Sequence, residues 1–466
     1  MFSGSVSFPL PLAKLALSLC QRQTMKKFGH LYEKLRSSFW SVPLVMILMA
    51  LLLAWLMRTL DNLAALPLSD RQGWSLPSLL QIRDTESARA LLSVIAGSTI
   101  TVAGTVFSIT MVALTLASNQ YGPHLVRNFI RDRGTQVSLG IFLATFTYAL
   151  VTMRVIGRSG GALGSYGFSV QFALLLTLAS IGCLVYFIHN VAQSIQADNI
   201  TQRVYSEFYQ SINREYPETT DADKGQLFDV SRLKLGNNQM AVPTSRSGYV
   251  QFIDREKLIS IARQYNCCIK IECHPGSFLH SWNDIGRIYQ DQNNSPALSQ
   301  SQVQSAILIG SLPTSEQDVV FCIQQLSQIA VRALSSGIND PFTAYSSVER
   351  LVEGLGKVLL RPELPNCFTD SSNQLRLISC RLEFSQLLSA ALDEIIEHGH
   401  SNGVFILHLL NSLSNLTGIC RRKKDKSALS DYLSRLSEDS DFYIKSASDL
   451  NAIKEKISDI QTRLTD

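Results

Sequence analysis

The stretch from Ala88 to Gln120, ARALLSVIAGSTITVAGTVFSITMVALTLASNQ, holds no charge after Arg89 and constrains the chain more than any other. As one helix rising 1.5 Å per residue it would run to roughly 50 Å, past the ~30 Å hydrocarbon core of a bilayer, so it should span a membrane and protrude. Ser98, Thr101, Thr105, Ser108, Thr115 and Asn119 recur along it at helical steps, with Val112 alone interrupting, and share one face. Gly97 and Gly104 lie beside them, where missing side chains let another backbone approach closely. A polar stripe in a membrane helix faces protein or water rather than lipid. The stripe has two readings. In one, the hydroxyls bond back to carbonyls one turn earlier and the small residues pack helices together. In the other, copies of this helix surround an axis and the hydroxyls line a water-filled path for a small ion or solute.

Four apolar runs fall at about 40–56, 88–120, 137–155 and 168–191, and the chain beyond them is mostly polar, so mean hydropathy near zero hides two unlike halves. The expected fold class is a four-span α-helical membrane domain (25–195), then a helical extension and linker (196–246) and an α+β domain. Residues 1–24 carry no basic residue ahead of their weak apolar run, which argues against a cleaved signal peptide. They are expected to be disordered or a mis-assigned start. Residues 26–39 have the spacing of an interfacial helix. Lys14, Arg22, Lys26, Lys27, Lys34 and Arg36 precede the first span against Glu33 alone, and Arg127, Arg131 and Arg133 lie between the second and third. This bias places both termini in the cytoplasm. No acidic residue is expected within a span, which disfavours ion-coupled transport.

In the polar half, Gly248–Ile253 alternates as a strand, Asp254 is placed to cap a helix reaching Gln264, and Cys267–Cys273 alternates again. Residues 247–314 therefore read as a small β-barrel or sheet, and 315–466 as a helical bundle. Gly337 reads as a helix stop, and Asp340-Pro341 as the cap and first residue of the next helix. Arg332, Asn339, Asp340, Thr343 and Tyr345 bring a donor, an amide, a carboxylate and hydroxyls into one segment. They serve either the two abutting helix ends or a polar ligand.

A net charge of +4, dispersed apart from Arg421-Arg422-Lys423-Lys424, gives no ground for a nucleic-acid partner. Nine cysteines without a CxxC or an even framework suit a reducing compartment. Cys267, Cys268, Cys273, His274 and His280 match no zinc spacing, so neither a metal nor another cofactor is expected. With no nucleophile elbow, phosphate loop, HExxH or triad, catalysis is not expected.

ALSSGINDPFTAY (Ala333 to Tyr345), FSITMVALTLASNQYGP (Phe107 to Pro123) and SFW (Ser38 to Trp40) together resemble the predicted membrane protein family called domain of unknown function 2254, from about Leu31 to Cys420. The resemblance implies a multi-span protein of the bacterial inner membrane with a cytoplasmic C-terminal half, and no established activity. The chain departs from the family at Ser336, where proline is usual, and before Thr314, where a basic residue is common. The first departure removes the ground for a rigid turn, the second for an anion contact there. Three functions are compatible with these features. The leading one is a homo-oligomeric channel lined by the second span, with a cytoplasmic regulatory domain; the others are a non-conducting scaffold or regulator, and a membrane-bound enzyme.

Overall fold

The computed structural model describes residues 40–64, 85–121, 132–158, 167–194, 196–218, 225–226, 239–290, 298–363, 365–370, 372 and 374–465. The start expected to be disordered, the interfacial segment, and most of the inter-span loops and polar linker lie outside them. The chain divides into two compact units, Met1–Gln196 and Ala197–Asp466.

The first unit contains α1 (Ser41–Ala64), α2 (Thr85–Tyr121), α3 (Arg133–Arg158) and α4 (Gly167–Ser194). Each is long and apolar enough to cross a membrane. Pro43 falls in the first turn of α1, where a missing N–H costs nothing. The hub is α3, which packs along the other three helices and has 44% of its apolar stretch buried, against 17% for α1 and 22% for α2 and α4. Leu92, Ile95, Tyr148, Ile156 and Val170 form one core cluster; Val106, Leu139, Phe142 and Phe187 form another. Two glycines of α3 admit close packing: at Gly140 a Cβ would press on Met46 and the Pro43 backbone of α1, and at Gly134 on the Asn190 and Tyr186 side chains of α4.

An aspartate ties helices together at each end of this unit. Asp61, 1% exposed, accepts from the N–H groups of Phe168 (3.0 Å) and Ser169 (3.2 Å) and from the Ser169 hydroxyl, at the start of α4. The carboxylate thus meets the positive end of a helix whose first N–H groups would otherwise be unpaired. At the opposite end, Asp132 caps α3 through Thr135 N–H (3.0 Å) and hydroxyl (2.7 Å) and accepts from Asn190 Nδ2 near the end of α4 (2.7 Å). The expectation of spans without an acidic residue is therefore corrected. The first helix runs about two turns beyond Leu56 and carries Asp61 inside it.

The second unit opens with α5 (Ala197–Glu215), whose Ile200, Val204, Phe208 and Ile212 are buried at helical spacing. Then come β1 (Gly225–Gln226), β2 (Gln239–Pro243), β3 (Gly248–Ile253), α6 (Arg255–Gln264), β4 (Cys267–Ile271), β5 (Phe278–Leu279), β6 (Asp284–Gln290), α7 (Gln300–Gln304) and β7 (Ile307–Gly310). After them come α8 (Val319–Leu334), α9 (Pro341–Leu360), β8 (Cys367–Thr369), β9 (Leu375–Ile378), α10 (Phe384–Gly399), α11 (Gly403–Ser414), α12 (Lys423–Tyr443) and α13 (Ala447–Thr465).

Of the two alternatives, barrel or sheet, the strands take the sheet: they make two open sheets, one ordered β1-β8-β9-β4-β6-β2 and one ordered β5-β3-β7. Every pairing is antiparallel except β4 with β9. The larger sheet recruits β8 and β9 from the helical half of the sequence, a long-range pairing that local alternation cannot reveal. Asp254 caps α6 by accepting from Lys257 N–H (3.0 Å), and α6 packs on β4 and β9 over Leu258, Ile269 and Leu377. Burial pushes the thiols of Cys267, Cys268 and Cys273 up to about 11, 12 and 12, so they stay neutral at physiological pH.

Asp318 caps α8 through Phe321 N–H (3.0 Å) while only 5% exposed, and burial raises its carboxyl to about 6. Because this folded value lies above the ordinary 3.8, the folded state holds the proton more tightly. The contribution to stability is full below about pH 4 and is lost as pH rises through 6, amounting to about 3 kcal/mol. Asp318→Asn keeps a cap acceptor but cannot titrate. Denaturant unfolding of the full chain in detergent should show a fall in stability between pH 4 and 7 that is smaller in this variant than in wild type by up to that amount.

Candidate functional site

Leu92, Ile95, Ala96, Thr99, Ala103, Val106, Ala113 and Ala117 form the face of α2 buried within its own unit. Ser98, Thr101, Thr105, Ser108 and Thr115 are all exposed, and at 100° per residue the centre of their stripe lies about 150° round the helix from that buried face. Nothing stands within 4 Å of where a Cβ would be at Gly97 or Gly104. The hydroxyl stripe and its glycines thus point away from α1, α3 and α4, and among the described residues the helix packing of the first unit does not use them. Asn119 lies in the last turn of α2.

Four of the five exposed hydroxyls are internally satisfied. Ser98 donates to the Ile95 carbonyl (3.1 Å), Thr101 to Gly97 (2.8 Å), Thr105 to Thr101 (3.1 Å) and Thr115 to Met111 (2.9 Å). With these four protons turned back into the helix, the outward face offers oxygen lone pairs without formal charge. Such a face can solvate a cation or water, or lie against a second helix.

The segment 332–345 is organised by its two helix ends. Ser335 donates its N–H (3.1 Å) and hydroxyl (2.6 Å) to the Arg332 carbonyl, Asn339 N–H bonds Ser335 O (2.8 Å), and Asp340 N–H bonds Ala333 O (2.8 Å). The left-handed residue is Asn339 (φ 49°), not Gly337, since asparagine tolerates that region better than most side chains. Asp340 accepts from the N–H (3.3 Å) and hydroxyl (2.6 Å) of Thr343, and Pro341 begins α9. Tyr345 turns elsewhere, stacking on His408 (4.1 Å between centroids) and lying 6.1 Å from Phe405 of α11. Asp340 and Thr343 are brought together, then, while Tyr345 joins a different cluster.

A third arrangement had no signal in the sequence. The end of α5, the start of α6 and the segment between β9 and α10 gather Glu215, Arg255 and Arg381. Arg255 pairs with Glu215 at 2.6 Å, and Arg381 Nη1 donates to the Glu215 carbonyl at 2.9 Å across a separation of 166 residues. Among the described residues, no three His, Cys, Asp or Glu side chains converge in a metal-binding group.

The chain is 30% identical over 340 residues to the uncharacterized protein Rv1290c of Mycobacterium tuberculosis and, to the same extent, to the uncharacterized protein Mb1321c of Mycobacterium bovis. Those alignments cover 72% of this chain but 64% of each relative, so the chain spans under two thirds of the length of the curated relatives it matches. No solved structure matches. Residues 36–415, which include all four long apolar helices and most of the second unit, match the predicted membrane protein family DUF2254, and the chain belongs to that family.

Proposed function

We propose that the protein is a homo-oligomeric, passive permeation pathway in a bacterial inner membrane. In this reading copies of α2 turn their hydroxyl faces toward a shared axis, and the second unit lies in the cytoplasm as a regulatory domain without catalysis. One observation carries the proposal: the stripe of Ser98, Thr101, Thr105, Ser108 and Thr115 is exposed on the side of α2 opposite its packed face. Hydroxyl oxygens and bare glycine backbone in a membrane helix suit water or a close neighbour better than lipid tails. The uncharged lone pairs favour water and small cations over anions. The Lys and Arg bias around the first three spans supports cytoplasmic termini.

Single cysteines at Thr101, Thr105 and Ser108, in a background without native cysteines, should react with a membrane-impermeant thiol reagent. Cysteines at buried Val106 and at Leu178, 69% exposed on α4 and turned to lipid in this reading, should not. Thr105→Leu should cut flux through reconstituted vesicles about tenfold or more by dewetting the path, while the oligomer persists. The scaffold reading has its own support in the hydroxyls bonded back into the helix. It predicts silent stripe cysteines that crosslink between copies at Gly97 or Gly104, with no flux, and that result would replace the channel.

A further inference from the structure

The cluster of Glu215, Arg255 and Arg381 is short of negative charge. Arg255 and Glu215 pair at 2.6 Å with side chains 19% and 10% exposed, leaving the Arg381 guanidinium with a backbone carbonyl as its bonded partner. Among the described residues no carboxylate lies within ion-pair distance of Arg381, and the Nε atoms of both arginines are buried without a hydrogen-bond partner. Two guanidinium groups against one carboxylate leave a local charge of +1 in a site largely removed from water, a costly arrangement unless an anion joins it. Burial, and then the nearness of Arg255, lower Arg381 to about 10.

Arg381 also lines two openings. A narrow one of about 30 Å³, room for a single small ion or water, is lined by Glu215, Tyr216, Arg255, His274, Gln317 and Arg381 among others. A wider one of about 290 Å³ shares Arg381 with it and is bordered by Ser379, Cys380, Arg422 and Lys424. Two carboxylates on that wider wall are already engaged, Asp425 with Arg422 and Glu363 with Lys424, and the third, Glu383 at the start of α10, is exposed to water. The Tyr216 hydroxyl is likewise occupied, donating to Leu382 O at 3.2 Å.

We propose that this cleft binds a small phosphate-bearing anion, with the phosphate held by Arg381 beside Arg255 and any attached carbon skeleton lying in the wider opening. The proposal holds whether or not α2 conducts. Full-length protein in detergent should show a saturable rise in melting temperature with inorganic phosphate that potassium chloride at equal ionic strength does not give. Phosphate affinity measured by equilibrium dialysis should fall at least tenfold in Arg381→Gln and less in Arg381→Lys, which keeps the charge but loses the planar fork. Glu215→Gln removes the one carboxylate and should tighten binding, a direction that a merely misfolded variant cannot produce. Ribose 5-phosphate binding tenfold better than phosphate would identify a phosphorylated metabolite, and equal binding would identify free phosphate. Absence of saturable binding of both probes in wild type, or binding unchanged in Arg381→Gln, overturns the proposal.

Discussion

Asp61→Ala should destabilise the four-helix unit by about 3 kcal/mol, the combined effect of a lost charge-assisted contact and buried donors left unpaired. In wild type the Asp61 carboxylate accepts from two backbone N–H groups and one hydroxyl at the start of α4, and Tyr148 secures the same turn by donating to Ser169 O at 3.0 Å. Alanine would leave the Phe168 and Ser169 N–H groups facing a dry interior. Asp61→Asn should be milder, because one amide oxygen still accepts while its NH2 opposes a second donor. Asp132→Ala should be milder still, since Asp132 is half-exposed and water can replace its bonds. Thermal unfolding in detergent, followed by monodispersity on size exclusion, would rank the three. If Asp61→Ala melted with wild type, Asp61 would not be holding α1 to α4.

Gly286→Ala should cost about 3 kcal/mol or more, beyond the usual penalty for one added methyl, because the obstruction is backbone rather than a movable side chain. Gly286 sits in β6 between Ile271 of β4 and Val242 of β2. A Cβ there would overlap the Lys270 carbonyl oxygen and stand 3.1 Å from Ile271 Cα. Relief requires β4 and β6 to separate, which breaks the ladder at the centre of the larger sheet. Circular dichroism melts should show the loss, and Gly97→Ala on the open face of α2 supplies a comparison expected to be near neutral. A wild-type-like Gly286→Ala would mean that β4 and β6 lie further apart at this position.

Features governed by neighbours in sequence were legible from the sequence. Apolar runs long enough for a bilayer marked the four helices, and Asp254 and Asp340-Pro341 marked helix starts because capping involves residues only three apart. Features governed by distant partners were not. Asp61 lay beyond the apolar run at 40–56 and gave no sign of its role, since its donors lie 107 and 108 residues downstream. The strands β8 and β9 are too short to announce themselves and gain their place by pairing with each other and with β1 and β4. The stripe on α2 could be recognised from spacing, but its direction depends on which face α3 and α4 cover, and that is a property of the assembled unit. Arg255 and Arg381 carried no pattern at all, because their significance is a local imbalance of charge created by folding.

The bond between Asp61 and α4 also sets an order of events. During synthesis α1 is made three spans before the turn that contains Phe168 and Ser169. Until that turn arrives, the Asp61 carboxylate has no helix end to neutralise it and belongs at the aqueous boundary, because a lone charge in hydrocarbon is costly. The last turn of α1 therefore cannot settle at its final depth when α1 first inserts. It is drawn in only when α4 takes its place, so among the described helices the fourth long one is also the one that finishes the first.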